Sequence, residues 1–125
     1  MRKFRNIKTV YEGHKFDSQF ERDIFIILKT DPDTEVVELQ PRVYLTAAKI
    51  LCKPDFKCRN KKTGEYYFAE AKGFETPSWR IKRRLWQFYG PLDMVIYKTK
   101  GRTRSSSNWS GYELEKILGG QKATS

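Results

Sequence analysis

Two strand-like segments that flank a turn constrain the fold of this chain more than any other stretch of its sequence. Residues 51–59 and 65–72 are each predicted to form a strand. The segment between them, Asn60–Gly64, has the composition of a hairpin loop. We therefore expect two adjacent antiparallel strands inside a sheet, which excludes an all-helical fold.

The predicted hairpin carries two carboxylates and a lysine. Because side chains alternate across a strand, Glu70 and Lys72 project from one face, and Ala71 projects from the other. Asp55 lies on the partner strand, where the hairpin could bring it close to Glu70. Two neighbouring carboxylates repel each other unless a cation compensates them. Mg²⁺ suits such oxygens and keeps water and phosphate as further ligands, so the pattern indicates metal-dependent phosphodiester chemistry.

The remaining elements predict a single α/β domain around the hairpin. They are a helix over 17–29, a strand over 35–45, a helix from Thr76 to about Tyr89, a strand over 93–98 and a short helix from near Ser110 to Gly120. A strand–helix–strand unit normally joins parallel strands, so we expect a mixed four-stranded sheet flanked by helices. The chain divides into a basic N-terminal arm (1–16), a core (17–98) and a basic loop with a short C-terminal helix and tail (99–125).

Local signals set the boundaries of these elements. Ser18 followed three residues later by Glu21 fits a capping box. Thr76 is the expected cap of the second helix, with Pro77 at its first position. Pro41 interrupts its strand and predicts a sheet edge or a bulge. The apolar stripe of the first helix is Phe20, Ile24, Ile27 and Leu28.

The charge of the chain indicates a polyanionic partner. The formal net charge is +10, and the segment from Trp79 to Arg104 holds eight basic residues and one acid. On the second helix, Ile81, Leu85 and Phe88 are the expected core stripe, whereas Trp79 and Trp86 are expected in core or interface packing. The candidate contacts to nucleic-acid phosphates are Arg80, Arg83, Arg84, Gln87, Lys100, Arg102 and Arg104.

Composition also narrows the class of protein. No apolar run reaches the roughly 20 residues of a membrane span, and no signal-peptide stretch follows the basic N-terminus. We therefore expect a soluble, cytoplasmic protein. Cys52 and Cys58, with one histidine, fit neither a zinc site nor a disulfide within one strand, so both are expected to be buried thiols.

Several stretches together resemble the PD-(D/E)xK nuclease superfamily. The first is Pro54-Asp55 followed after fourteen residues by Glu70-Ala71-Lys72. The stretches YEGHKFDSQFE, VVELQPRVYL and AKGFETPSWRIKRRLW are similar to a small phage-associated family of such nucleases, related to Holliday-junction resolvases. The resemblance covers about residues 10–98. It implies a restriction-endonuclease-like αβββαβ core in a phage-encoded or bacterial protein.

The resemblance also implies roles for individual residues. Asp55 and Glu70 would be metal ligands together with the backbone carbonyl of Ala71, and Lys72 would be the catalytic lysine. Glu21 would be the helix acid that approaches the metals. The implied cofactor is Mg²⁺ or Mn²⁺, and the implied substrate is branched DNA. Symmetric resolution of a four-way junction implies a homodimer.

Alternatives remain open at this stage. The same chemistry fits single-stranded DNA, flaps or RNA, and a non-catalytic DNA-binding accessory protein is a different class. Asp55 and Glu70 could form ordinary cross-strand pairs with lysines, and Lys72 could be a solvated strand end. The capping box with Ser18 would by itself explain why an acid stands at position 21, without any metal. Gln40 could reach the site or only satisfy backbone groups near Pro41, and His14 is expected at the surface.

Overall fold

A mixed sheet of five strands organises the chain. The computed structural model describes residues 9–99 and 111–122. In chain order the elements are β1 (Thr9–Tyr11), β2 (His14–Phe16), α1 (Gln19–Thr30), β3 (Thr34–Leu39), β4 (Val43–Tyr44), β5 (Leu51–Cys52), β6 (Phe56–Asn60), β7 (Tyr66–Lys72), α2 (Pro77–Tyr89), β8 (Met94–Thr99) and β9 (Tyr112–Ile117).

The strand order of the central sheet is β3-β6-β7-β8-β9. The predicted hairpin is confirmed, since β6 and β7 pair antiparallel. The crossover through α2 makes β8 parallel to β7, and β9 returns antiparallel to β8. The single α/β domain with a mixed sheet is confirmed, but the prediction of four strands is wrong because β9 adds a fifth.

The strand β9 replaces the short C-terminal helix that the sequence predicts. Its residues, YELEKI, are mostly good helix formers. Here they hydrogen-bond with β8 along its whole length, from Met94 opposite Ile117 to Thr99 opposite Tyr112. Ile117 is buried in the core, which a short helix beyond the sheet would not achieve. Tertiary pairing therefore overrides local propensity at this position.

One helix covers each face of the sheet. Ser18 caps α1 by accepting from the backbone N–H of Glu21 at 3.0 Å. The predicted stripe of α1 is confirmed for Phe20, Ile24 and Leu28, which are buried together with Phe25. Ile27 packs against the same cluster from a partly buried position.

The buried face of α2 differs from the prediction. Thr76 caps the helix at the backbone N–H of Trp79 and Pro77 begins it, as expected. The expected core residues Ile81 and Phe88 are 62% and 66% exposed, so that part of the prediction is wrong. Trp79 and Trp86, seven residues apart on one face, pack against the sheet, which confirms the expected core packing of both, and Leu85 is partly buried beside them.

The contacts of Trp86 explain why this face of α2 is the buried one. Its ring meets that of Phe68 edge-to-face at 5.3 Å, and its indole N–H donates to the carbonyl of Leu92 at 2.8 Å. Burying an indole removes a large apolar surface from water, and its polar N–H has a partner.

Part of the predicted N-terminal arm is ordered structure. β1 and β2 form a hairpin whose turn places Glu12 and Gly13 at φ of 50° and 80°. Phe16 is buried against Phe25 of α1, with ring centroids 5.0 Å apart. Residues 9–16, the described part of the predicted N-terminal arm, therefore form a hairpin that packs on α1. His14 is exposed, as expected.

Both long predicted strands are interrupted. Residues 35–45 divide at Gln40, whose φ is 51°, and at Pro41. The second half, β4, leaves the central sheet to pair with β5. β3 remains at the sheet edge, as Pro41 predicts, and a bulge lies between Val36 and Glu38. Residues 51–59 likewise divide into β5 and β6, and Cys52 and Cys58 are buried free thiols.

The segment after β9 fastens the sheet to the end of α2. Asp93 accepts from the backbone N–H of Gly119 at 3.0 Å and from the ammonium of Lys122 at 2.9 Å. A Cβ at Gly120 would lie 2.3 Å from the carbonyl oxygen of Gln87, so only glycine fits. Neither described helix is both long and apolar enough to cross a membrane.

Candidate active site

The side-chain carboxylates of Asp55 and Glu70 each accept a hydrogen bond from a backbone N–H of the neighbouring segment. Asp55 stands just before β6, and Glu70 lies near the end of β7. The backbone N–H of Asp55 donates to Glu70 Oε1 at 3.0 Å, and the N–H of Ala71 donates to Asp55 Oδ2 at 2.8 Å. Each carboxylate is therefore oriented by the neighbouring strand, and the two predicted residues lie side by side.

Lys72 stands next to this pair. Its Nζ is 3.2 Å from Glu70 Oε2 and lies 4.4 Å from the centroid of the Trp79 ring. The carboxylate and the aromatic face together hold the Lys72 side chain in place. Lys72 is half-buried, so it is not the solvated strand end that the sequence left open.

Glu21 reaches the same place from α1. Only its backbone N–H is needed for the bond to Ser18, and its carboxylate is 6% exposed. Gln40 Nε2 lies 3.4 Å from Glu21 Oε2, and the backbone N–H of Gln40 donates to the carbonyl of Asp55 at 2.8 Å. Gln40, which sequence reasoning left undecided, therefore bridges the helix acid and the β6 aspartate.

Burial raises the pKa of all three acids, and repulsion by neighbouring carboxylates adds to the rise for Glu21 and Asp55. Burial, then the charge of Asp17 and that of Glu70, raises the pKa of Glu21 from 4.5 to about 7. Burial and the charges of Glu70 and Glu21 hold the pKa of Asp55 well above its usual range. Burial also raises the pKa of Glu70, although Lys72 opposes the shift. One lysine does not neutralise three carboxylates, so the cluster favours uptake of protons or of another cation.

The donor chemistry of the cluster fits a hard divalent ion. Within residues 9–99 and 111–122, no three histidine, cysteine, aspartate or glutamate side chains are arranged to hold a metal by themselves. Mg²⁺ needs only one or two carboxylates, because water and substrate phosphates complete its shell. The carboxylates of Asp55 and Glu70 supply such a partial set.

The basic residues of α2 fall into two groups. Arg80, Arg84 and Gln87 are exposed. Arg83 is half-buried and forms an ion pair with Glu115 of β9. Its guanidinium also lies 3.5 Å from Glu75, so it is less accessible to phosphate than the other two arginines. Lys100, Arg102 and Arg104 lie outside the described residues.

Sequence reasoning missed a cavity beside the carboxylates. Its volume is about 240 Å³, and Glu70 and Lys72 form part of its wall. Lys53 and Lys82 also line it, although neither was a predicted site residue. Signals for both existed, since Lys53 precedes Pro54-Asp55 and Lys82 follows Trp79 by three residues, on the same side of α2.

Comparison with known proteins adds no relative from which a function could be transferred. The functional assignment therefore depends on the arrangement of the chain's own residues. No protein-family model, no curated protein and no solved structure matches this chain.

Proposed function

We propose that the protein is a metal-dependent DNA endonuclease that hydrolyses phosphodiester bonds and prefers branched DNA. The observation that carries the proposal is the convergence of Glu21, Asp55 and Glu70 with Lys72 at one end of β7. A structural role does not account for it, because three close carboxylates with one lysine cost stability. Their arrangement is useful where a divalent cation and a phosphate must meet.

Each residue of the cluster has a role in this proposal. Asp55, Glu70 and the Ala71 carbonyl would hold Mg²⁺ or Mn²⁺, and a bound ion would supply Lewis-acid activation of water and of the phosphodiester. The Lys72 ammonium offsets negative charge that develops on the phosphate oxygens. Glu21, kept in place by Gln40, accepts a proton or a water hydrogen bond at the edge of the cluster.

The topology and surface charge support the same proposal. The order α1, β3, β6, β7, α2, β8 agrees with a restriction-endonuclease-like αβββαβ core in which β4 and β5 are inserted and β9 is added. Arg80 and Arg84 on the outer side of α2 bind the DNA backbone without reading base sequence. A four-way junction presents two equivalent strands, so we propose a homodimer with one site in each subunit.

The test compares cleavage of labelled substrates of different shape. A four-way junction, a flap, a linear duplex and a single strand are incubated with Mg²⁺, with Mn²⁺ and with EDTA. We expect metal-dependent cleavage, fastest on the junction. Cleavage confined to flaps, single strands or RNA would keep the chemistry and replace the substrate. Binding without cleavage in either metal would make the protein an accessory factor instead.

Variants connect the activity to the cluster. Asp55→Asn and Glu70→Gln should each abolish cleavage while retaining DNA binding in Ca²⁺, since both remove a ligand charge and keep the side-chain shape. Glu38→Gln, an exposed change on β3, is the matched control and should cut normally. Cleavage at the wild-type rate in both cluster variants would refute the assignment of the site.

A further inference from the structure

The cavity beside the carboxylates has features that the proposed catalytic roles leave unused. It lies between β5, the end of β7 and the first turn of α2, and its volume is about 240 Å³. Its polar and aromatic wall, apart from Glu70, consists of Lys53, Lys72, Lys82, Thr76, Ser78 and Trp79.

The cavity concentrates positive charge. Lys72 is paired with Glu70, whereas Lys53 and Lys82 form no ion pair within residues 9–99 and 111–122. The first turn of α2, which begins at the cavity wall, contains no acidic residue. The partial positive charge of the helix N-terminus is therefore not offset by a side chain of that turn. These groups together favour an anion.

A buried aromatic side chain in the cavity wall can report on what the cavity holds. Trp79 lines the cavity and is only 6% exposed, yet its indole N–H has no hydrogen-bond acceptor in the described part of the chain. Buried donors without partners are rare in folded proteins. The neighbouring Trp86 shows the usual case, since its N–H bonds to Leu92. The indole nitrogen itself is closed to solvent, but Lys72 Nζ lies 4.4 Å from the centroid of the ring, so the N–H signal of Trp79 should respond to an anion that binds beside Lys72.

We infer that this cavity binds a phosphate group of the nucleic-acid strand, next to the phosphodiester held at Asp55 and Glu70. Ammonium and hydroxyl donors surround the cavity, as the oxygens of a phosphate require. Glu70 and Lys72 belong to both places, so a strand that enters the cavity continues to the carboxylates. That the phosphate belongs to a nucleic acid rests on the proposed function.

The first test follows the indole N–H of Trp79 by NMR in EDTA, with Trp79→Phe to assign its signal. Titration with inorganic phosphate should shift this signal, and chloride at equal ionic strength should not. Lys82→Gln should weaken phosphate binding about tenfold, as expected for one charged hydrogen bond. Lys61→Gln, in the exposed β6–β7 turn, makes the same charge change and should have no effect.

The second test uses single-stranded oligonucleotides with and without a 5′-phosphate. Lys82→Gln should reduce the slope of log affinity against log salt by about 0.7, and Lys61→Gln should leave it unchanged. An effect on both oligonucleotides identifies an internal phosphate as the ligand. An effect only on the phosphorylated strand identifies a terminal one.

The outcomes separate this inference from the proposed function. A protein that cuts DNA, but whose Trp79 signal ignores phosphate and whose Lys82→Gln variant binds normally, overturns the phosphate site alone. A protein that binds phosphate in the cavity but cuts no nucleic acid overturns the nuclease proposal and keeps the anion site.

Discussion

Replacing Glu21 with glutamine should stabilise the metal-free protein at neutral and alkaline pH. The folded state holds the proton of Glu21 more tightly than the unfolded state, because its pKa rises from 4.5 to about 7. At about 1.4 kcal/mol for each tenfold change in proton affinity, this rise amounts to about 3 kcal/mol. Gln40 can still donate to an oxygen of glutamine, so the substitution removes charge and keeps the neighbour.

The pH range of the effect follows from linkage. Below pH 4.5 Glu21 is neutral in both states, and the wild-type protein has its full stability. As the pH rises through 7 the folded carboxyl must ionise in a buried site, and about 3 kcal/mol is lost. Glutamine never ionises, so Glu21→Gln should match the wild type at pH 4 and exceed it by about 3 kcal/mol at pH 8.

Urea unfolding in EDTA at both pH values measures this difference directly. Glu38→Gln removes the same charge from an exposed site and should change stability little at either pH. If Glu21→Gln is no more stable than the wild type at pH 8, ionising Glu21 in the folded protein costs no stability and the prediction is wrong. An equal gain at pH 4 and pH 8 would assign the effect to packing and refute the electrostatic explanation.

Three further predictions concern other parts of the chain. Asp93→Asn should lower the unfolding free energy by about 1–2 kcal/mol at pH 7, because two hydrogen bonds to the C-terminal segment weaken. Since the pKa of Asp93 is lowered in the folded state, the difference between the two proteins should vanish as the pH falls below 3.8. Gly120→Ala should lower the unfolding free energy by about 1–3 kcal/mol in urea titrations, because its Cβ meets the backbone of Gln87. Arg84→Ala should reduce the slope of log affinity against log salt for duplex DNA by about 0.9. Arg83→Ala breaks an ion pair with β9, so it should lower the unfolding free energy and change this slope less.

Local chemistry was enough to predict the boundaries of several elements. Ser18 and Thr76 each cap a helix by side-chain bonds to residues three positions later, so both signals lie within one helical turn. The loop that ends at Gly64, with φ of 77°, joins β6 to β7 as its composition predicts. These features depend on neighbours in sequence, and tertiary structure did not alter them.

Features that depend on distant partners were predicted less well. Two apolar stripes on α2 have helical spacing, and the choice of Trp86 over Phe88 depends on Phe68 and Leu92 in the sheet. The strand β9 forms because β8 offers an open edge, which YELEKI does not encode locally.

In the candidate site, too, local features were predicted from the sequence better than features that depend on distant partners. The spacing of Asp55, Glu70 and Lys72 predicted their proximity, because strand alternation and a short hairpin determine it. The approach of Glu21 depends on how α1 packs on the sheet, so it came from the resemblance alone. Gln40 joins the cluster because its backbone has a positive φ, which the surrounding sequence did not predict.

The bulge in β3 has a consequence for solubility. An edge strand exposes unpaired backbone groups on which another chain can extend the sheet. Between Val36 and Glu38 the extra residue Val37 breaks the regular hydrogen-bond ladder, and it twists the outer edge away from flat pairing. The exposed carboxylate of Glu38 would also face that of an identical strand laid alongside in register. This edge is therefore protected against fibre-like stacking of one molecule on the next.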